Sequence, residues 1–384
     1  MTAAAPESPP DTGERLGLAS VETSLVFTGD GAEYFRIWVV NTLITLLTLG
    51  AYSSWAKVRR TRYLWQNTRL GGFAFDYHAR PIAILRGRIL ALGLFGAYTY
   101  AFDFSKTAGI VVLAALCVVG PWLFMRAQQF KLANTSWRGL RFGFDGRLPE
   151  AFRVVLPILI LWFSATVFPV WYADDVPVVL WSQLAVVLPL PWMHHRLKRY
   201  QHARASYGDR AFSFAPMLLR FYWVYLKGTL LVVLGGVLGA LAIAGSIGVT
   251  AALGLAPDAA SDPPIVAIVL GTLFAAALVF VFSWPYLAAR LQQTTWSATR
   301  LGGVRFETRI RAWRLFWLTL QNVFLTVATL GFYWPYAAMR FAKYRIECMT
   351  VLGDTPFIAA GTHSGQVGAS GEGVADAFGL DLGL

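Results

Sequence analysis

Three histidines are the first residues whose types and spacing suggest chemistry. His195 and His202 lie seven residues apart, two helical turns, and share a helix face, with His194 nearby, so metal ligation is the chemistry to weigh. Arg196, Lys198, Arg199 and Arg204 surround them, and that positive field opposes a cation. They read as ordinary histidines of a basic helix, and no metal is expected. Cys117 lies in an apolar run and Cys348 follows a basic helix, with no CxxC spacing, so neither a disulfide framework nor a zinc site is supported. Gly235-Gly236 and Gly239 have the look of a phosphate loop but fall within the apolar stretch 228–254, where small residues let helices pack closely. Walker, HExxH and nucleophile-elbow patterns are absent, and the charged residues repeat five times in equivalent places instead of marking one site. The chain is therefore expected to be no enzyme and to hold no cofactor.

Two other sets of polar residues recur with a period. Asn41, Thr45 and Thr48 stand at i, i+4 and i+7, and Asn322, Thr326 and Thr329 repeat that spacing, so each set lines one helix face. Two explanations stay open: hydrogen-bonded contact between helices, or a polar pathway or ligand cavity between repeats. The second set is arginine. Ser54-Trp55 with Arg59, Pro121-Trp122 with Arg126, Pro191-Trp192 with Arg196, Pro285-Tyr286 with Arg290 and Pro335-Tyr336 with Arg340 are five copies of one motif. The five arginines suit anionic headgroups of membrane lipids.

The elements that would position these residues belong in lipid. Apolar residues make up 56% of the chain and charged ones 14%, with a mean hydropathy of +0.52. Judged against the roughly 20 apolar residues that cross a bilayer, the candidate segments are 34–54, 89–104, 107–125, 154–172, 176–193, 224–253, 265–287 and 315–338. Of the 33 Lys and Arg, 30 fall in five blocks beside the segment ends, which places those blocks on the cytoplasmic face. The net charge of +12 is thus a topology signal, and no nucleic-acid partner is expected. Glu33, Asp103 and Glu150 lie at segment ends, so no carboxylate serves an ion-driven mechanism at mid-membrane. Residues 1–24 and 359–384 read as tails around a membrane domain over 25–358, with no cleaved signal expected in 1–20.

Each basic block runs helix, turn, strand. In the first, Arg59, Arg60, Arg62 and Tyr63 precede Asn67-Thr68, Gly71-Gly72 and the alternating Phe73, Phe75 and Tyr77. The others follow the same order, with Val26-Phe27 and Phe357 as edge pieces. The first and last copies match at a constant offset of 281, from Phe35 with Phe316 to Tyr52 with Tyr333. The expected fold is an α-helical polytopic membrane protein of about eight segments, built from five internal repeats, with short cytoplasmic strands in a small β layer. Segments 34–54 and 315–338 either cross once or break at Gly50 and Gly331 and re-enter.

Gly29-Asp30-Gly31-Ala32-Glu33-Tyr34-Phe35, Leu46-Leu47-Thr48-Leu49-Gly50, Trp55-Ala56-Lys57-Val58-Arg59-Arg60, Asn67-Thr68 and Gly71-Gly72 together resemble the YjgN-like family of bacterial inner-membrane proteins. The resemblance covers most of 25–358 and is looser in the third copy, where Arg204-Ala205 replaces Asn-Thr. It implies an inner-membrane address and several spans, without a biochemical role. Two functions remain: passing or holding a small solute or lipid between repeats, or a membrane scaffold whose strand layer binds a protein partner or a second copy.

Overall fold

The computed structural model describes residues 22–171, 187–252 and 265–353, with isolated positions between 177 and 185. Residues 1–21 of the expected N-terminal tail, the expected C-terminal tail, the closing strand piece at Phe357 and eight of the eighteen residues of segment 176–193 lie outside the described residues, whereas Glu22, Thr23 and Ser24, read as tail, belong to a strand.

One unit recurs five times. An outgoing helix turns back into a returning helix, which runs into a short strand. The outgoing and returning pairs are α1 (Gly31–Leu47) with α2 (Ser53–Gln66), α3 (Pro81–Phe104) with α4 (Lys106–Ala133), α5 (Leu148–Trp171) with α6 (Leu190–Ala203), α7 (Leu218–Ala252) with α8 (Ile265–Ala298), and α9 (Ala312–Ala328) with α10 (Trp334–Glu347). The Asn-Thr pair explains how a returning helix stops. Asn67 Nδ2 donates to Tyr63 O at 2.9 Å and Thr68 Oγ1 to Leu64 O at 2.8 Å, satisfying carbonyls that the helix end leaves bare. Asn134 and Thr135 do the same for Phe130 and Lys131. In the third copy the replacing Arg204 forms a two-pronged pair with Glu150 instead, its Nε donating at 2.8 Å.

The strands follow as hairpins: β2 (Thr68–Leu70) with β3 (Phe73–Tyr77), β4 (Thr135–Trp137) with β5 (Leu140–Phe144), β6 (Ala205–Tyr207) with β7 (Arg210–Phe214), and β8 (Thr299–Leu301) with β9 (Val304–Thr308). In the first, Leu70 pairs with Phe73, which leaves a two-residue turn at Gly71 (φ 57°) and Gly72 (φ 84°). That left-handed pair is the hairpin turn whose twist matches the strands, and it is why the motif carries two glycines. The fifth hairpin is split between the chain ends. β10 (Met349–Leu352) pairs antiparallel with β1 (Glu22–Phe27), Glu22 opposite Leu352.

All ten strands close into one antiparallel barrel, in the order β1-β10-β9-β8-β7-β6-β5-β4-β3-β2. A backbone bond marks each join between repeats: the N–H groups of Thr28, His78, Asp145, Ala215 and Arg309 donate to the carbonyls of Asn67, Asn134, Arg204, Ala298 and Cys348, at or just past the ends of the returning helices, at 2.8–2.9 Å. Every strand sends at least one side chain into a single cluster, from Leu25 and Leu70 through Phe75, Trp137, Phe142, Tyr207, Phe212, Leu301 and Phe306 to Val351. Phe142 and Tyr207 approach to 4.8 Å between centroids, and the Tyr207 hydroxyl donates to Trp137 O at 2.8 Å. The barrel is thus filled by side chains, like other small barrels.

The helices form a matching ring, because each packs on the next and α10 packs on α1. The first buried turn of each outgoing helix anchors it: Tyr34, Ile84, Ala151, Phe221 and Leu315 occupy equivalent positions and are nearly or fully inaccessible. Along α7 and α8 the contact is made by glycine. A Cβ on Gly235 would come within 2.9 Å of Val279 Cα, and one on Gly239 within 2.4 Å of Ala275 Cβ.

Two expectations are corrected. The strands do not make a small layer but close into a complete barrel, since the N-terminal β1 supplies the partner that the fifth repeat lacks. Eight membrane segments are not supported either. Among the described residues four helices are long and apolar enough to cross a membrane, within α3, α4, α7 and α8. Segments 34–54 and 315–338, each one run of continuous hydropathy, break beside Gly50 and Gly331 into a helix, a turn and a second helix.

Candidate functional site

The five motif arginines define a level in the ring, one on each returning helix. Arg126 and Arg196 lie over the rings of Trp122 and Trp192, at 5.9 and 4.8 Å from the centroids. Arg59 is exposed, as is Arg290, which donates to Gln293 Oε1 at 2.9 Å. Arg340 is the most engaged: its guanidinium donates to Asn322 Oδ1 at 3.1 Å, to the Tyr333 hydroxyl at 3.0 Å and to Gln321 Oε1 at 3.1 Å. The residue preceding each motif aromatic, Ser54, Pro121, Pro191, Pro285 or Pro335, is buried where the helices meet.

Measured from that level, the hairpins differ in reach. Helix α4 begins at Lys106, twenty residues before Arg126, and α8 at Ile265, twenty-five before Arg290. At ~1.5 Å per residue those are about 30 and 37 Å, a full hydrocarbon thickness. Helices α2 and α10 begin at Ser53 and Trp334, only six residues before Arg59 and Arg340, or about 9 Å, and tight turns join them directly to the 17-residue α1 and α9; α6 also begins six residues before its arginine, but most residues between it and α5 lie outside the described ones. These two short hairpins are neighbours in the ring, since α10 packs on α1.

The polar stripes end in the turns of the short hairpins. Thr48 closes α1: its Oγ1 donates to Ile44 O at 2.8 Å and accepts from Tyr52 N at 3.0 Å. Thr329 repeats this, with Leu325 O at 2.7 Å and Tyr333 N at 2.9 Å. Leu49 N donates to Leu46 O and Gly50 N to Thr45 O, and Leu330 and Gly331 do likewise with Val327 and Thr326. This is the double-bonded helix stop that ordinarily places glycine at its left-handed first position. Leucine stands there instead, Leu49 at φ 48° and Leu330 at φ 50°, with Gly50 and Gly331 next at φ 91° and 94°. Every backbone N–H from residue 49 to 53 and from 330 to 334 has a partner within its own hairpin. The leucines project freely, Leu49 97% and Leu330 91% exposed.

The rest of each stripe is less alike. Thr45 Oγ1 donates to Asn41 O at 2.6 Å. Asn41 and Asn322 are both buried; Asn322 accepts from Arg340, whereas Asn41 Oδ1 has no partner among the described residues. No hydrogen bond joins the two stripes among the described residues.

The histidines are packing residues. His194 Nδ1 meets the Tyr225 hydroxyl at 2.8 Å, His195 Nε2 faces Met217 N at 3.4 Å, and His202 Nδ1 lies 3.1 Å from Thr299 Oγ1. Burial, helped by the charges of Lys198 and Lys131, pulls the His202 pKa down to about 3, so this ring is neutral. No metal-ligating cluster occurs among the described residues.

The sequence alone singles out none of Arg220, Lys227, Thr308 and Arg309. These four join Arg290 at one groove in the ring wall. The spacing of Arg220, Trp223 and Lys227 along one helix face was the available signal.

The model of a family described as bacterial protein of unknown function (DUF898) matches residues 22–377. Inner membrane protein YjgN of Salmonella typhimurium is 29% identical over 166 residues, 43% of this chain and 38% of that relative. Inner membrane protein YjgN of Escherichia coli K12 is 33% identical over 153 residues, 38% of this chain and 37% of the relative. The match therefore spans less than two fifths of either curated relative's length. No solved structure matches the chain. Five helix-hairpin and strand repeats, apolar helices long enough to cross a bilayer and a family match across nearly the whole chain lead to one conclusion: the protein belongs to the DUF898 family, the YjgN-like inner-membrane proteins of unknown function.

Proposed function

We propose that this protein holds anionic lipid at the cytoplasmic side of the inner membrane, without catalysis and without conducting solute along the barrel axis. The observation that carries the reading is the unequal reach of the hairpins, about 9 Å beyond the arginine level for two neighbours against 30 Å or more for α4 and α8. A turn that ends within one leaflet must satisfy its own backbone, because hydrocarbon offers no partners. The Thr48 and Thr329 turns do so, and the leucines at their tips gain by entering lipid. Beside such a step, lipids of the nearer leaflet lie against the hairpin tips with their headgroups at the arginine level. The filled barrel supports holding over passage. A scaffold whose strands bind a partner would use a free strand edge, and a closed barrel offers none for strand addition.

Reconstitution tests this. In vesicles, the protein should immobilise a larger fraction of spin-labelled phosphatidylglycerol than of phosphatidylcholine and should leave neutral-sugar swelling rates at the protein-free value. Protein-dependent swelling, with equal immobilisation of the two lipids, contradicts the proposal.

A further inference from the structure

A groove of 590 Å³ opens at the base of the α7–α8 hairpin, against the end of β9. Arg220 and Lys227 line it from α7, Arg290 from α8, Thr308 from the end of β9 and Arg309 from the residue after it. Arg309 is held by Glu22 at 2.8 Å. Arg220, Lys227 and Arg290 have no carboxylate at ion-pair distance among the described residues, and Glu307 is the acidic side chain that lines the groove beside them. Three unpaired cations facing one cavity repel one another, and an anion between them removes that repulsion.

A second observation is independent of charge. Thr308 is 6% exposed, and its Oγ1 is buried without a hydrogen-bond partner. A buried hydroxyl left unpaired costs about 1–3 kcal/mol, so native proteins keep few of them without a partner in some state. Thr308 is among the residues that line the groove, and its hydroxyl lacks the acceptor that a ligand oxygen would supply. Trp223 and Tyr286 stand at the same rim and give the groove an amphipathic lip of the kind found where membrane meets water.

We infer that the groove between α7, α8 and β9 is a binding site for a phosphate-bearing anion, held by Arg220, Lys227 and Arg290 with the Thr308 hydroxyl donating to a phosphate oxygen. Arginine offers paired donors to phosphate and lysine a point charge. The position at the Arg290 level makes a phospholipid headgroup the natural source, and that part alone rests on the lipid-holding reading. A free phosphate would meet the same groups. Glu307 disfavours a ligand that carries more negative charge than one phosphate group.

The test uses the full chain and two probes: inorganic phosphate by titration calorimetry in a zwitterionic detergent, and phosphatidylglycerol against phosphatidylcholine by retained adducts in native mass spectrometry. The double variant Arg220→Ala/Lys227→Ala should weaken binding at least about tenfold, whereas Lys343→Ala, in an exposed pair with Glu347, should leave it unchanged. Thr308→Val separates binding from folding, because it removes only an unpaired hydroxyl. It should weaken binding about three- to tenfold while thermal stability without ligand stays equal or rises. Loss of phosphatidylglycerol adducts in the variants, with or without a phosphate effect, identifies a headgroup. A phosphate effect alone keeps the groove and contradicts the lipid-holding reading. Wild-type binding of both probes by the double variant overturns the site.

Discussion

Replacing Thr48 by valine removes one hydroxyl and leaves a residue of the same shape. In the structure that hydroxyl accepts the Tyr52 N–H at 3.0 Å, and within the hairpin nothing else reaches that donor. An orphaned N–H costs about 1–3 kcal/mol inside a protein and several when the surroundings are hydrocarbon. Thr45→Val is the control. Its hydroxyl only donates, to the Asn41 carbonyl at 2.6 Å, and that carbonyl lies in the helix ladder, so the loss should stay below about 1 kcal/mol. Thr329 is bound as Thr48 is, in a separate hairpin, so the double variant should lose the sum of the two single losses, about 4 kcal/mol or more. The assay is reversible unfolding in mixed micelles with graded denaturing detergent, with Thr48→Ser as the rescue that restores the acceptor. Equal losses for Thr48→Val and Thr45→Val would refute the claim that these turns satisfy themselves for burial in lipid.

Three further outcomes follow from packing and charge. Phe221→Ala empties a fully buried position where α7 leaves the barrel and should cost about 3–5 kcal/mol in the same unfolding assay. Gly239→Leu places side-chain atoms where Ala275 already stands, so α7 and α8 must separate; a disulfide engineered between the two helices at that level should form in the parent and fail in the variant. His202 is neutral when folded, with its pKa near 3 against 6.5 in the unfolded chain, so the unfolded state takes up the proton first as pH falls. Its contribution is complete above pH 6.5 and is lost at about 1.4 kcal/mol per pH unit from there toward pH 3. His202→Gln should flatten the measured slope by that amount.

What the sequence made legible was local. The Asn-Thr pair, the Gly-Gly turn and the alternating Phe73, Phe75 and Tyr77 each act within a few residues, and each appears in the fold as helix end, hairpin turn and strand. The break at Gly50 was legible as one of two alternatives, since a glycine only permits a left-handed turn. Leu49 at φ 48° is the surprise, because no propensity places leucine there. Barrel closure was not legible. It depends on Glu22 meeting Leu352 from opposite ends of the chain, and on the twist accumulated over five hairpins, which no single repeat encodes. The number of spans failed for a related reason: continuous hydropathy across 34–54 hides a reversal of direction. The groove escaped because Arg220, Arg290 and Thr308 belong to three elements, and their convergence is tertiary.

The most direct test is the depth of the hairpin tips. Single cysteines at Leu49, Leu330 and Lys106, with Cys117 and Cys348 replaced, would carry spin labels in reconstituted bilayers for accessibility to oxygen and to a water-soluble relaxant. At Leu49 and Leu330 the label should be oxygen-rich, shielded from the relaxant and at a depth within the nearer leaflet, while at Lys106 it should be in water on the far side. Water exposure of the Leu49 and Leu330 labels like that at Lys106 would contradict the account, because the two hairpins would then cross the bilayer or lie outside it.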